Sequence, residues 1–243
     1  MTTDFGKLYI VATPIGNLGD ITLRALETLK SVDFVLCEDT RVTQKILNHY
    51  EISTKTISYH QHSNDKKVDL IISLLDEGKN LALVTDAGTP GISDPGNILI
   101  NQLTNNPINK YEVIPIPGVS AVVTALSISG FPTDKFIFLG FPPQKKGRQT
   151  YFQNLQNIEQ TTCFYESNHR ILKAITSMQE FLEPETKICI CRELTKKFET
   201  VYRGTIEEVI KQIENPPAGA KIKGEFVIIA GTVPKTRGVG SQC

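Results

Sequence analysis

The chain has 243 residues, with 26 acidic and 26 basic side chains, so its formal net charge is zero. This length suits one large domain or two small ones. A protein that coats nucleic acid without sequence preference is strongly basic, so any RNA contact of this neutral chain must come from local basic patches. No apolar run reaches the ~18 residues that span a bilayer, and no secretory signal begins the chain. We therefore expect a cytoplasmic protein without a membrane partner.

The first half of the chain alternates short apolar runs with amphipathic segments. A strand is predicted over 8–12, followed by a turn-rich loop and a helix over 21–30 that Asp20 caps. Further strands are predicted over 32–37, 56–59, 81–85 and 112–116, and further helices up to about Tyr50, over 65–77 and over 97–103. Such alternation is typical of βαβ units, so we predict an α/β fold with an N-terminal parallel sheet.

The segment Pro115–Gly118 interrupts this pattern, because proline stops both strand pairing and helix continuation. We predict an N-terminal α/β domain over 1–116, a C-terminal α/β domain over 117–231 and a mobile tail over 232–243. In the second domain, helices are predicted over 120–129, 148–157, 170–182 and 206–213, and strands over 136–139, 162–165, 187–191, 198–202 and 226–230. The strands over 187–191 and 198–202 have no helix between them, which predicts a mixed sheet.

The cysteines and histidines do not predict a metal site. Cys189 and Cys191 are one residue apart, which is not the spacing of a CxxC ligand pair, and we interpret the cysteines as reduced, buried thiols. His60 and His62 are also one residue apart, but no third ligand lies nearby in the sequence. We interpret them as loop residues.

The most informative loop is Leu83–Gly96, which places three glycines, two prolines and two aspartates between a predicted strand and a predicted helix. Such a loop is costly in backbone entropy, and ligands of open α/β sheets bind beyond the carboxyl ends of strands. The loop is therefore predicted to face a small polar ligand, the alternative being that its aspartates only cap turns and helices. NAD and ATP are disfavoured, because the Gly-x-Gly-x-x-Gly and Gly-Lys-Ser/Thr motifs are missing.

Five segments in order resemble the tetrapyrrole-methylase-like (class III) S-adenosylmethionine-dependent methyltransferases. They are Thr13–Leu18 with the strand before it, Cys37–Arg41, Thr85–Gly96, Pro117–Ala121 and Arg192–Lys197. The first, second and last, together with Phe164–Ser167 and Lys223–Phe226, resemble one branch of that family, the ribosomal RNA small-subunit methyltransferase I proteins. That branch usually has proline before its His-Arg pair. Here Asn168 precedes His169, so His169 ranks below the other candidate bases.

The resemblance implies two α/β domains with the methyl donor, S-adenosylmethionine, in the cleft between them, no metal, and a homodimer. It also implies 2′-O-methylation of a cytidine in the decoding centre of 16S ribosomal RNA, with the small ribosomal subunit as partner. One alternative is the same donor and fold acting on a tetrapyrrole or a protein side chain. Another is a non-catalytic RNA-binding assembly factor that has kept the donor pocket.

The donor needs oxygens near its cationic groups, N–H donors for its carboxylate and a flat apolar slot for its adenine. The loop is expected to hold the amino-acid end, the start of the helix after Pro117 to donate N–H groups, and an aromatic pair to flank the adenine. The cofactor-binding candidates are Pro14, Asp86, Gly88, Thr89, Ile92, Ser120, Ala121, Phe164 and Tyr165.

Methyl transfer to a ribose hydroxyl is helped by a general base and by a cation near the developing alkoxide. The catalytic candidates are Asp39, Arg41 and Glu166, of which the two acids directly follow predicted strands. Exposed cations are expected to contact RNA phosphates. The RNA-binding candidates are Lys145, Lys146, Arg148, Arg192, Lys196 and Lys197. The alternatives are a helix cap with an exposed ion pair at Asp39–Arg41 and a merely solvated basic loop.

Overall fold

A computed structural model describes residues 5–60, 65–94, 96–105, 110–215 and 223–231. The chain divides into two compact α/β units, as the sequence predicts for the fold class. The division falls after Ser120, whereas the predicted boundary follows Ile116, so Pro117–Ser120 belongs to the first unit. The predicted tail and His62 lie outside the described residues. Within the described ranges, no helix has the length and apolarity needed to cross a membrane.

The first unit is a five-stranded parallel sheet with helices on both faces. Its strands are β1 (Lys7–Val11), β2 (Phe34–Cys37), β3 (Lys55–Ser58), β4 (Leu81–Leu83) and β5 (Glu112–Ile116), in the order β3-β2-β4-β1-β5. Its helices are α1 (Leu23–Ser31), α2 (Thr40–His49), α3 (Asp65–Asp76) and α4 (Asn97–Thr104). Strand side chains alternate between two cores, one packed against α1 and α2 and the other against α3 and α4, and the central strands β1, β2 and β4 are the most buried.

The order of these strands creates a topological switch point between β1 and β4. The chain leaves β1 through α1 toward β2 on one side, and leaves β4 through α4 toward β5 on the other. Since α1 and α4 cover opposite faces, the chain departs from β1 and from β4 toward opposite faces of the sheet. Ligands of open α/β sheets commonly bind at such a switch point, and the Leu83–Gly96 loop begins there.

The cap of α1 differs from the prediction. Thr22, not Asp20, caps this helix, because its hydroxyl oxygen accepts a hydrogen bond from the Ala25 N–H at 3.1 Å. Asp20 instead ends a short 3₁₀ turn, Leu18–Asp20.

The second unit is a mixed five-stranded sheet, as predicted. Its strands are β6 (Phe136–Phe138), β7 (Thr161–Ser167), β8 (Lys187–Arg192), β9 (Thr200–Thr205) and β10 (Glu225–Ala230), in the order β6-β7-β10-β8-β9. Only β6 and β7 pair in parallel among the described strands of this sheet. The helices are α5 (Ala121–Ser129), α6 (Arg148–Leu155), α7 (Ile171–Phe181) and α8 (Ile206–Glu214). The strand β9 begins two residues later than predicted because a turn still occupies Glu199, whose N–H bonds the Lys196 carbonyl.

One face of this sheet packs against α6, α7 and α8 and encloses a charged group. The Glu166 carboxylate is fully buried and accepts hydrogen bonds from Arg148 Nη2 at 2.9 Å and from Arg170 Nε at 2.8 Å. The Arg148 side chain is 7% exposed. Removing one partner of such a group leaves a charge buried without compensation, which is far more costly than losing a surface pair.

We expect Glu166→Ala to lower the free energy of unfolding by about 3–5 kcal/mol, because it leaves the Arg148 guanidinium buried beside no carboxylate. Urea denaturation followed by circular dichroism measures this. Glu180→Ala, at an exposed position on α7, is the matched control and should change stability by less than about 0.5 kcal/mol. Equal stability of the two variants would contradict a structural role for the Glu166 pair.

Candidate functional site

The loops that follow β1 and β4 are joined by their backbones. Thr13 and Gly88 exchange two hydrogen bonds, with N–H to oxygen distances of 2.9 and 3.0 Å, and the Thr13 hydroxyl donates to the Thr85 carbonyl at 3.0 Å. Thr13 and Thr85 are both buried. These bonds fix the first turn of the Leu83–Gly96 loop at the switch point.

The segment after β5 is held against the same loops. The Thr89 hydroxyl donates to the Val119 carbonyl at 3.2 Å. A Cβ atom at Gly118 would lie 2.9 Å from the Ala12 Cβ, so only glycine allows this approach. The structure therefore brings together the first, third and fourth of the family-like segments.

The Leu83–Gly96 loop has the conformation of a specialised turn rather than a simple connection. Gly88 and Gly91 both have φ of +84°, and the non-glycine residue Ser93 has φ of +62°. The Asn97 side chain steadies the turn by donating from Nδ2 to the Gly91 carbonyl at 3.1 Å. Ile92 is 46% exposed, so an apolar side chain projects from this fixed backbone. Backbone strain of this kind is typical of ligand-binding turns.

The structure gathers most of the predicted donor-binding residues around this turn. Pro14 and Gly88 are buried, Thr89 and Ser120 are half-buried, and Asp86 is exposed. The remaining candidates, Ala121, Phe164 and Tyr165, belong to the second unit, where Ala121 is the first residue of α5.

A cavity of about 570 Å³ lies at the carboxyl ends of β2, β3 and β4. Its lining residues are Glu38, Asp39, Thr40, Arg41, Ser58, His60 and Asp86. The sequence predicted roles for Asp39, Arg41 and Asp86 but none for Glu38 or Ser58. Their position directly after a strand or at its last residue was the signal that could have identified them.

Asp39 and Arg41 form a close ion pair at this cavity. The Asp39 carboxylate accepts from Arg41 Nε at 3.0 Å, from Arg41 Nη2 at 2.7 Å and from the Arg41 backbone N–H at 2.8 Å. These bonds lower the pKa of Asp39 to about 2. The Arg41 side chain is 87% exposed. A carboxylate that is ionised so firmly is poorly matched to the role of general base near neutral pH, and the arrangement instead presents Arg41 to solvent in a fixed orientation.

Two further acids make the site strongly negative. Burial, together with the nearby negative charges of Glu38 and Asp86, raises the pKa of Asp94 to about 6. Asp86 is exposed as a residue, but partial desolvation of its carboxyl raises the pKa of Asp86, whose Oδ1 accepts a bond from the Asp39 N–H at 3.3 Å. The sequence offered Asp94 only as a turn-capping residue. A concentration of partly desolvated carboxylates in a crevice suits a cationic ligand group.

In the second unit, three predicted site residues occupy buried positions. Glu166, a catalytic candidate, and Arg148, an RNA-binding candidate, are partners in the buried ion pair described above. Phe164, proposed to flank the adenine, is 0% exposed and packs against Phe152 and Tyr151 in the core. The predictions treat these side chains as ligand-facing, whereas the structure buries all three of them within the second unit.

Their neighbour Tyr165 points to the opposite face of the sheet, because side chains alternate along a strand. Its ring centroid lies 4.9 Å from that of Phe138 and 5.2 Å from that of Phe141. Phe141 is 53% exposed and had not been identified from the sequence.

Some of the basic candidates are exposed to solvent, and others are hydrogen-bonded within the protein. Lys145, Lys146 and Lys197 are exposed. Lys196 bonds the carboxylates of Glu193 and Glu225, each at 2.9 Å, and Arg192 Nε donates to the Lys223 carbonyl at 2.7 Å. Lys196 therefore stabilises the turn after β8.

That turn is itself conformationally unusual. Glu193 and Thr195 have φ of +50° and +65°, and the Glu193 carboxylate packs where Gly224 has no side chain. The Glu225 N–H bonds Glu193 Oε1 at 3.0 Å. The last family-like segment thus forms a constrained turn joined to the segment before β10. Across the ranges that the structure describes, no three acidic, histidine or cysteine side chains are grouped so as to hold a metal ion.

Comparison with known proteins identifies a family for almost the whole chain. Residues 7–210 match the model of the Tetrapyrrole (Corrin/Porphyrin) Methylases. Among curated relatives, the Ribosomal RNA small subunit methyltransferase I of Synechocystis sp. is 48% identical over 96% of this chain and 81% of its own length. The protein of the same name from Bacillus subtilis is 45% identical over 93% of this chain and 75% of its own length.

Solved structures share the fold at low sequence identity. The methyltransferase CobJ superposes with a TM-score of 0.67 at 16% identity, over 94% of this chain and 95% of its own. A uroporphyrin-III C-methyl transferase from Thermus thermophilus, complexed with S-adenyl homocysteine, gives 0.62 at 14% identity, over 93% and 97% of the two chains. The chain belongs to the tetrapyrrole methylase family of S-adenosylmethionine-dependent methyltransferases and, within it, to the ribosomal RNA small subunit methyltransferase I group.

Proposed function

We propose that this protein transfers a methyl group from S-adenosylmethionine to the 2′-hydroxyl of a cytidine in the decoding centre of 16S ribosomal RNA. The observation that carries the proposal is the 48% identity, over 96% of the chain, to a relative named as a small-subunit ribosomal RNA methyltransferase. The 2′-oxygen attacks the methyl carbon, the carbon–sulfur bond breaks, S-adenosylhomocysteine leaves and the hydroxyl proton is released. The small ribosomal subunit is the proposed partner, a homodimer the proposed state and the cytoplasm the proposed location.

The first unit supplies the features that a methyl donor requires. The donor carries a sulfonium and an ammonium group, and the carboxylates of Asp86 and Asp94 lie in and beside the switch-point turn. The fixed backbone around Gly88 and Thr89 offers polar groups to the amino-acid end, and Ile92 offers an exposed apolar surface. We assign this turn to the donor.

Arg41 is the proposed cation for the acceptor. Asp39 uses both of its carboxylate oxygens to orient the guanidinium of Arg41, a residue that lines the cavity. A guanidinium so oriented binds a phosphate of the RNA or stabilises the alkoxide that forms as the hydroxyl loses its proton. We therefore place Asp39 as a positioning residue for Arg41 rather than as the general base.

The direct test is transfer of radiolabelled methyl from S-adenosylmethionine to unmethylated small subunits, followed by nuclease digestion to identify 2′-O-methylcytidine. We expect Arg41→Ala to lower kcat by about 10²-fold and Arg41→Lys to recover only part of it, because lysine lacks the paired N–H geometry. Arg24→Ala, at an exposed position on α1, is the control and should keep full activity. Label on a porphyrinoid or a protein but not on RNA would overturn the proposed substrate.

Thr89→Arg should abolish donor binding while leaving the fold intact, because a long cation then fills the turn assigned to the donor. Isothermal calorimetry with S-adenosylmethionine measures the binding, and thermal unfolding checks the fold. Thr104→Arg, at an exposed position on α4, should bind the donor as the unmodified protein does. An unchanged donor affinity in Thr89→Arg would remove this turn from the donor site.

Donor affinity should rise with pH through about 6, the pKa of Asp94. Below that pH the carboxyl is protonated and neutral, and above it the carboxylate attracts the cationic donor. We expect an increase of about fivefold between pH 5 and pH 7, which corresponds to a fall of roughly one unit in the Asp94 pKa when the donor binds. Calorimetry across this range measures it, and Asp94→Asn should remove the dependence. A pH dependence that persists in Asp94→Asn would assign the titration to another group.

A further inference from the structure

Phe141 is an aromatic residue whose side chain is exposed to solvent. It follows β6, its side chain is among the exposed large apolar groups at 53%, and its ring packs against Tyr165 at 5.2 Å. Tyr165 in turn packs edge-on against Phe138 at 4.9 Å. The Phe141 ring is thus supported by the Tyr165 ring, which in turn packs on Phe138. A single exposed apolar residue is ordinary on a protein surface, so its support and its neighbours decide whether it has a function.

The backbone that carries Phe141 is fixed on both sides. The Tyr165 N–H donates to the Gly140 carbonyl at 2.9 Å. On the other side, the buried Arg148 donates from Nη1 to the Pro143 carbonyl at 3.2 Å, while its own N–H bonds the Lys145 carbonyl at 3.2 Å. Because Glu166 holds the Arg148 side chain, the loop rests on the buried ion pair beneath it. The Phe141 ring is therefore preorganised, and little conformational entropy is lost when a planar group stacks on it.

The same loop carries exposed positive charge. Lys145 and Lys146 are both exposed and lie within five residues of Phe141 in the sequence. A rigid aromatic surface beside flexible cations is the combination that binds single-stranded nucleic acid, because bases stack on the ring while cations neutralise phosphates. An apolar protein surface has no need of the two lysines.

A second exposed aromatic, Phe198, fits this role less well. It is 64% exposed, but the Lys197 ammonium lies 5.7 Å from its ring centroid and so already occupies one face of the ring. No comparable cation contact is found at Phe141 in the part of the chain that the structure describes.

We infer that Phe141 is a nucleobase-stacking residue that, with Lys145 and Lys146, binds single-stranded RNA of the substrate. This inference rests on the proposed function and extends it from the reacting nucleotide to its flanking bases. The contribution is to acceptor binding and not to donor binding, so the residue sets the affinity and the KM for RNA.

Because the chain contains no tryptophan, the stacking can be observed directly. Phe141→Trp introduces a single indole, and titration with a single-stranded oligocytidylate should quench its fluorescence. Leu172→Trp is the matched control, since Leu172 is an exposed residue of α7, on the opposite face of the sheet from Tyr165. Its fluorescence should not change with RNA.

Affinity variants separate stacking from charge. By fluorescence anisotropy with labelled oligocytidylate, Phe141→Ala and Phe141→Leu should each weaken binding by roughly 5- to 150-fold, because leucine keeps apolar area but has no aromatic face. Neither should change the slope of log affinity against log salt. Lys145→Ala and Lys146→Ala should each reduce that slope by about 0.7.

The outcomes distinguish this inference from the proposed function. If the unmodified protein methylates small subunits while Phe141→Ala has its full RNA affinity and KM, the function stands and the stacking role is overturned. If Phe141→Ala weakens S-adenosylmethionine binding instead, the residue belongs to the donor site and the inference fails. If the unmodified protein neither binds nor methylates RNA, both fail. Weaker RNA binding without quenching of Phe141→Trp would show contact without stacking and would also overturn the inference.

Discussion

The first unit depends on the two backbone hydrogen bonds between Thr13 and Gly88. They join the loops that leave β1 and β4 at the point where the strand order reverses. An ordinary parallel sheet leaves such loops free to diverge. Here an isolated antiparallel bridge joins the two loops past the ends of the strands, so the Leu83–Gly96 turn begins from a fixed position and the Thr89 hydroxyl can reach the Val119 carbonyl. The turn that we propose for the donor is thus held by main-chain hydrogen bonds together with the hydroxyls of Thr13 and Thr89.

Acidic residues at the carboxyl edge of the same sheet repel one another, and a cationic ligand relieves that repulsion. Asp94 and Asp86 are ionisable groups whose burial and mutual repulsion disfavour charge. A chain selected for stability alone would replace such residues, and their presence is typical of a site where function and stability compete. In the proposed donor site, a sulfonium offsets this repulsion and the neutral sulfur of the product does not, so the proposal predicts exchange of product for fresh donor.

The fold could be predicted largely from the sequence, because alternating apolar and amphipathic segments indicate βαβ units and the prolines of Pro115–Gly118 interrupt that pattern. The strand Glu112–Ile116 was predicted to the residue, and the mixed second sheet followed from two strands without an intervening helix. Burial was predicted less well. Phe164 and Glu166 lie two residues apart on one face of β7, with Tyr165 between them on the other face. Periodicity cannot say which polar side chains a core will accept. Phe141 was missed because its significance lies in its exposure and support, and neither is visible in the sequence.

The buried Arg148 changes how the basic loop over 142–148 should be interpreted. Three of its residues carry positive charge, but only Lys145 and Lys146 are exposed to solvent. The buried Arg148 side chain bonds the Pro143 carbonyl and the Glu166 carboxylate, and its backbone N–H bonds the Lys145 carbonyl. Loss of Arg148 would collapse the loop and so mimic the loss of an RNA contact. Within one short basic stretch, the buried Arg148 therefore holds the loop in place while the exposed Lys145 and Lys146 are left to bind a ligand. Only their burial distinguishes these chemically similar residues.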